Sequence, residues 1–175
     1  IRDTSVTGVQ TCALPISKIG ENCFLADNST ITGDVVIGNN CSLWFNAVVR
    51  GDVHQIRIGN NVNIQDNAVV HCTYKKASVK IGNNVSIAHS AIIHGCTIHD
   101  NVLIGMGAII MDGVIIESHS IIAAGAVVSK DTLVKSGSVY GGIPAKLIKT
   151  VDKDLLEGEI NRIANNYNMY ASWYD

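Results

Sequence analysis

From Ile19 to Val128 an aliphatic residue returns about every six positions, often followed by glycine, and few folds can absorb so short a period. The hexads begin at Ile19, Leu25, Ile31, Ile37, Leu43, Val49, Ile58, Ile64, Val70, Ile81, Ile87, Ile93, Ile98, Ile104, Ile110, Ile116, Ile122 and Val128. A unit of one short strand and one corner can bury its apolar residue only by stacking on copies of itself, so the pattern predicts an all-β solenoid. Three hexads make a triangular coil of about eighteen residues, and successive coils stack as parallel strands about 4.8 Å apart. The first residue of each hexad faces inward. Cys23, Cys41, Val62, Val85 and Val102 form a second inward column at the fifth position. Gly20, Gly38, Gly59, Gly82 and Gly105, at the second position, are expected at tight corners where other side chains would crowd. The Asn pairs at 39–40, 60–61 and 83–84 are expected to hold corner conformations through local hydrogen bonds.

The period breaks at one corner only, the one that follows the third face. Val49 to Ile58 spans nine residues and Val70 to Ile81 eleven, while Ile93 to Ile98 spans five. Both insertions are expected to bulge as loops, and irregularity gathered at one corner marks a candidate site.

A length of 175 residues suits one domain. Thirteen basic against fifteen acidic residues give a net charge of −2, which argues against binding nucleic acid or a membrane through a basic surface. No apolar run is long enough to span a bilayer. Five dispersed cysteines without a C-x-x-C pair read as reduced thiols in a cytoplasmic protein.

Residues 1–17 carry no hexad period, and the stretch from Val6 to Ile16 resembles translated sequencing-adapter sequence. That segment is expected to be non-native or disordered, with the solenoid over residues 18–150. Over residues 151–175 the period turns helical: Leu156, Ile160, Ile163, Tyr167 and Tyr170 share one face, with Asp152 as N-cap. This helix is expected to pack along the outside of the prism.

His71 and His94 are second positions of third-face hexads in adjacent coils, so they should stack about one strand spacing apart. Zinc takes nitrogens at about 2.0–2.1 Å, hence about 3.3 Å from each other, and two imidazoles on neighbouring rungs can lean together to meet that need. His89 is the third residue of a second-face hexad and points out from another face. A homotrimer would bring the His71/His94 pair of one subunit against His89 of the next. Arg50 shares the column of His71 and His94, Asp52 follows in the first insertion, and Gln65 and Asp66 precede His89 by one coil. Joining the two columns would set Arg50 against Asp66 across subunits. Spacing alone leaves metal binding and a solvated histidine ladder both open; His54, His99 and His119 read as solvated.

At Val49-Arg-Gly-Asp52, Asn63-Ile-Gln-Asp66, Val70-His71-Cys72, His89-Ser-Ala-Ile-Ile-His94-Gly-Cys96 and Gly142-Ile-Pro-Ala-Lys146 the chain resembles the γ-class carbonic anhydrases and their bacterial relatives, over about residues 19–150. The resemblance implies a left-handed parallel β-helix, a homotrimer, and His71, His89 and His94 as metal ligands, with His89 supplied by a neighbour. It implies zinc, with Fe(II) or Co(II) as alternatives. It makes Gln65 the residue that orients a metal-bound hydroxide attacking CO2 to give bicarbonate. It assigns Arg50, Asp52 and Asp66 to the interface and the bound anion.

Two departures bear on rate. Val53 stands where active members carry Glu, and the loop Thr73-Tyr74-Lys75-Lys76-Ala77 has no carboxylate where they carry a proton-shuttling one. Two other readings remain on the same scaffold. One is an acyl-CoA-linked transferase or thioesterase; the other is a non-catalytic, metal-stabilised trimeric assembly subunit.

Overall fold

A computed structural model describes residues 10–12 and 17–174, and the expectation for residues 1–17 falls mostly outside them. The backbone of Gln10–Cys12 lies parallel to Thr30–Thr32 as the outermost rung of the third face. Parallel strands climb three faces of a prism. The first face runs from Lys18–Ile19 to Leu133–Val134 and the second from Phe24–Leu25 to Ser138–Gly142. The third ends at Val127–Val128.

Every hexad start from Ile31 to Val128 is buried in one continuous core, and Ile19 and Leu25 pack against its open end. The coil continues beyond Val128, the last hexad start of the regular period. Val134 is buried and Tyr140 packs on the core where an aliphatic residue would otherwise stand. The chain then reverses, and Ala145–Thr150 returns antiparallel along Ser138–Gly142.

The corners follow the asparagine expectation. The αL residue is asparagine: Asn40, Asn61, Asn84 and Asn101 have φ of 55–56°. Their side chains bond from rung to rung, as in Asn61 Nδ2 to Asn84 Oδ1 and Asn84 Nδ2 to Asn101 Oδ1, both 2.7 Å. The glycine column serves close stacking: a Cβ on Gly38 would stand 2.6 Å from the carbonyl oxygen of Gly59. The first insertion, expected as a loop, is not one. It runs as an extended arm inside the unbroken strand Val48–Ile58, opposite a register shift between Gly33 and Val35. Only the second insertion makes a turn, closed by a bridge between Thr73 and Ala77.

Asp152 caps the C-terminal helix by accepting from Leu155 N at 2.8 Å. A π-helical turn, Leu156–Asn161, surrounds Gly158 and leads into the regular helix Arg162–Ala171. Ile160 is buried against Ile121 and Val139 of the second face, and the Tyr167 ring meets Trp44 edge-on at 5.2 Å. No helix among the described residues is long and apolar enough to cross a membrane. Replacing the fully buried Ile116 by alanine should cost about 2–5 kcal/mol of unfolding free energy, measurable by denaturant titration.

Candidate metal centre

The register fixes two histidines side by side. His94 pairs with His71 and His71 with Arg50 across the third-face ladder. Their preceding residues, Ile93, Val70 and Val49, are locked inward with no exposed surface, so the three side chains must share an outward column. His71 Nδ1 and His94 Nε2 lie 3.1 Å apart.

Charged groups surround this pair. Asp52 takes the Arg50 guanidinium at 2.7 Å and sets its other oxygen 3.4 Å from His71 Nε2. Burial opposes ionisation of Asp52, but the hydrogen bond and charge of Arg50 outweigh it and hold the carboxyl below the usual range. Burial, then the charge of Arg50 and the neighbouring His94, lowers the affinity of His71 for a proton and keeps that imidazole neutral. Behind His94, Asp112 lies 2.6 Å from Nδ1, and Thr73 Oγ1 donates to Asp112 at 2.6 Å. Burial works against the Asp112 charge as well; the Thr73 and His94 contacts reverse the balance and lower its pKa.

His89 belongs to a second locus. Its Nδ1 is 2.8 Å from Asp66 and its Nε2 is 3.4 Å from the Tyr167 hydroxyl. The phenol is pushed up to about 12 by burial, then by the charges of Asp66 and Tyr170, so it keeps its proton. Gln65 is buried beside His89; its amide nitrogen donates to Asn63 at 2.9 Å, and Asn63 donates to Ser86 at 2.8 Å. The amide oxygen of Gln65 is thereby the end available to a ligand. Gln65, His89, Met106, Arg162, Tyr167 and Tyr170 help to line a cavity of about 320 Å³ between the second face and the C-terminal helix.

The expected residues thus form two half-sites: Arg50, Asp52, His71 and His94 in one, and Gln65, Asp66 and His89 in the other. Within the chain Arg50 pairs with Asp52 and Asp66 with His89, so any contact between Arg50 and Asp66 belongs to an assembly. Among the described residues no three His, Cys, Asp or Glu side chains converge to hold a metal. The first half-site nonetheless suits one. Its facing nitrogens stand close to the about 3.3 Å between neighbouring ligands of tetrahedral zinc. The other ring nitrogen of His71, Nε2, is buried without a hydrogen-bond partner and faces Asp52 at 3.4 Å, on the side away from His94. Of the remaining histidines, His54 accepts from Gln55 N at 2.8 Å on the inserted arm, and His119 sits at a corner beside Asn101.

Sequence reasoning missed Asp112 and Thr73, which only the irregular corner brings to His94. It also missed an aliphatic ladder. The residues just before the third-face hexad starts, Val48, Val69, Ile92, Ile109 and Val127, stack in register on the outer surface, and Ile92 is 38% exposed. The same position on the first face is mixed: Lys18, Val36, Arg57, Lys80, Thr97, Ile115 and Leu133. The signal was legible as a second apolar column one residue ahead of the first.

Comparison with known proteins agrees with this geometry. The bacterial transferase hexapeptide family, a six-repeat pattern, matches residues 16–51 and 95–130. A probable carbonic anhydrase of Methanocaldococcus jannaschii is 44% identical over 87% of this chain and 93% of its own length. A carbonic anhydrase of Geobacillus kaustophilus is 39% identical over 90% of this chain and 85% of its own. The solved structure of a hexapeptide transferase family protein from Anaplasma phagocytophilum superposes with a TM-score of 0.88 at 36% identity, covering 97% of this chain and 98% of that one. The fold and the paired histidines define a hexapeptide-repeat β-helix protein. Within that class, the chain belongs to the γ-class carbonic anhydrase-like family.

The titrating groups of the first half-site set a sign for pH. The unfolded chain binds more protons than the folded one wherever a native pKa is depressed, so stability falls as pH drops through that window. For His71 the loss begins below about pH 6.5, and for Asp52 and Asp112 below about 3.9. Thermal melts of metal-free protein should show both declines, and His71→Phe should remove the one nearer neutrality.

Proposed function

We propose that the protein is a metal-dependent γ-carbonic anhydrase-like lyase that interconverts CO2 and bicarbonate at the subunit interfaces of a homotrimer. The pairing of His71 with His94 at 3.1 Å, with His89 turned out from a different face, carries this reading. Neither half-site is complete alone, and a threefold assembly that sets the third face of one subunit against the His89 corner of the next makes three whole ones. The aliphatic ladder supports the same arrangement, because it lies on the histidine face and a neighbouring subunit would cover it. Homologues named carbonic anhydrase support the chemistry.

His71, His94 and His89 of a neighbouring subunit would hold the metal, zinc or alternatively Fe(II) or Co(II). Once bound by three neutral imidazoles, such an ion is a Lewis acid that brings the ionisation of water to about pH 7. The other residues orient and neutralise. Asp66 accepts from His89 Nδ1 and leaves Nε2 for ligation. The Gln65 oxygen accepts from the reacting water. Arg50, tethered by Asp52 and 44% exposed, offers positive charge to a bicarbonate anion. Proton export lacks a carboxylate at Val53 and in the Thr73–Ala77 turn, which leaves half-buried His54 as the imidazole on the inserted arm and favours a low rate. Among the described residues the thiols of Cys23, Cys41, Cys72 and Cys96 are free, which fits a reducing, cytoplasmic setting.

Metal-loaded trimer should hydrate CO2 above a metal-free control in a stopped-flow indicator assay, and His89→Ala should lower kcat/KM by more than about 100-fold. Ile92→Glu places a charge in the ladder and should yield monomer by sedimentation, with activity lost. Hydration equal to the control removes the lyase reading and leaves a non-catalytic trimer. Acyl-CoA turnover that survives metal stripping favours instead the transferase chemistry named for the Anaplasma structure.

A further inference from the structure

The corner where the repeat loses its period also builds a contact network that the ligand set does not use. Three irregularities meet there. The long spacing after Val70 makes room for the turn in which Thr73 N donates to Ala77 O at 3.0 Å and Ala77 N donates to Thr73 O at 3.2 Å. The short spacing after Ile93 places Gly95 at φ +55°. One coil on, Asp112 reaches back toward both. Thr73 Oγ1 holds one carboxylate oxygen at 2.6 Å, and the other lies 2.6 Å from His94 Nδ1. A Cβ on Gly95 would stand 2.5 Å from Asp112 Oδ1 and 2.8 Å from Ala77 Cβ, so glycine is what admits the carboxylate.

We propose that Asp112, held by Thr73, is a positioning residue that fixes His94 in the tautomer and ring angle in which Nε2 is its free lone pair. A carboxylate oxygen and an imidazole nitrogen at 2.6 Å need a proton between them, because two lone pairs at that distance repel. Asp112 therefore accepts from Nδ1–H. Nε2 of the neutral ring is left as the acceptor, on the side that faces His71. A carboxylate behind a ligating histidine also raises the basicity of the ligand nitrogen. Thr73 occupies the second oxygen and stops the carboxylate from turning away. The Thr73–Ala77 turn, which lacks an acid of its own, thereby has a structural purpose at the site. This inference rests on the metal-site reading.

Two measurements test it. In the metal-free protein, imidazole ¹⁵N spectra should show the His94 proton on Nδ1; a proton on Nε2 overturns the proposal. Competition for Zn(II) against a chromophoric chelator should show affinity 10- to 100-fold weaker in Asp112→Ala, on the scale of outer-partner losses. Thr73→Val should lose less, and Thr73→Ser should retain wild-type affinity. Melts of the metal-free variants separate folding from binding. An Asp112→Ala protein that is less stable yet binds zinc as tightly as wild type reduces Asp112 to a structural residue and overturns the proposal alone. A wild type that binds no zinc overturns the metal-site reading, and this inference with it.

Discussion

Parallel strands stacked rung on rung at about 4.8 Å convert sequence position into spatial column, and the whole site depends on that conversion. Val70 and Ile93 are fully buried, so the residues that follow them point out together. A slip of one residue would drive His71 and His94 into an aliphatic core and turn the core outward. The core thus enforces the site: the continuous hydrophobic prism makes a mispaired register far more costly than any local gain. Asparagine ladders at the corners hold the same registration from outside.

The three faces of the prism meet different environments. The first mixes Lys18, Arg57 and Lys80 with Val36, Thr97, Ile115 and Leu133. The second lies under the C-terminal helix, with Ser42, Asn63 and Ser86 buried in a bonded polar ladder and Ile160 packed lower down. The third carries stacked aliphatic side chains next to the His71–His94 pair, with nothing among the described residues covering them. In the proposed trimer one neighbour would bury that stripe and complete the histidine set, so assembly and chemistry would share one surface. The helix joins in by setting Tyr167 against His89.

Much of this was legible from spacing because one short rule repeats. Each hexad start from Ile31 to Val128 is buried where the period put it, and the His71–His94 neighbourhood followed without further information. What escaped the rule was non-periodic. The last coil was hidden because Tyr140 replaces the aliphatic residue, and the returning strand Ala145–Thr150 has no repeat to announce it. Asp112 and Thr73 are 39 residues apart and meet only because an insertion and a deletion fall at one corner. The glycine column and the asparagine corners were legible, but which atoms crowd the glycines was not: the constraint is the next rung's carbonyl.

The central claim is that two histidines of one subunit and one of its neighbour hold a single metal. Mixed trimers test it most directly. His71→Ala and His89→Ala proteins are prepared separately, then unfolded and refolded together, and bound zinc per chain is measured against each variant refolded alone. Each variant alone should hold little zinc, and the mixture should regain a fraction, because an interface between an intact His71/His94 pair and an intact His89 then exists. A mixture as empty as its parents, or a single variant that binds like wild type, would contradict a site shared between subunits.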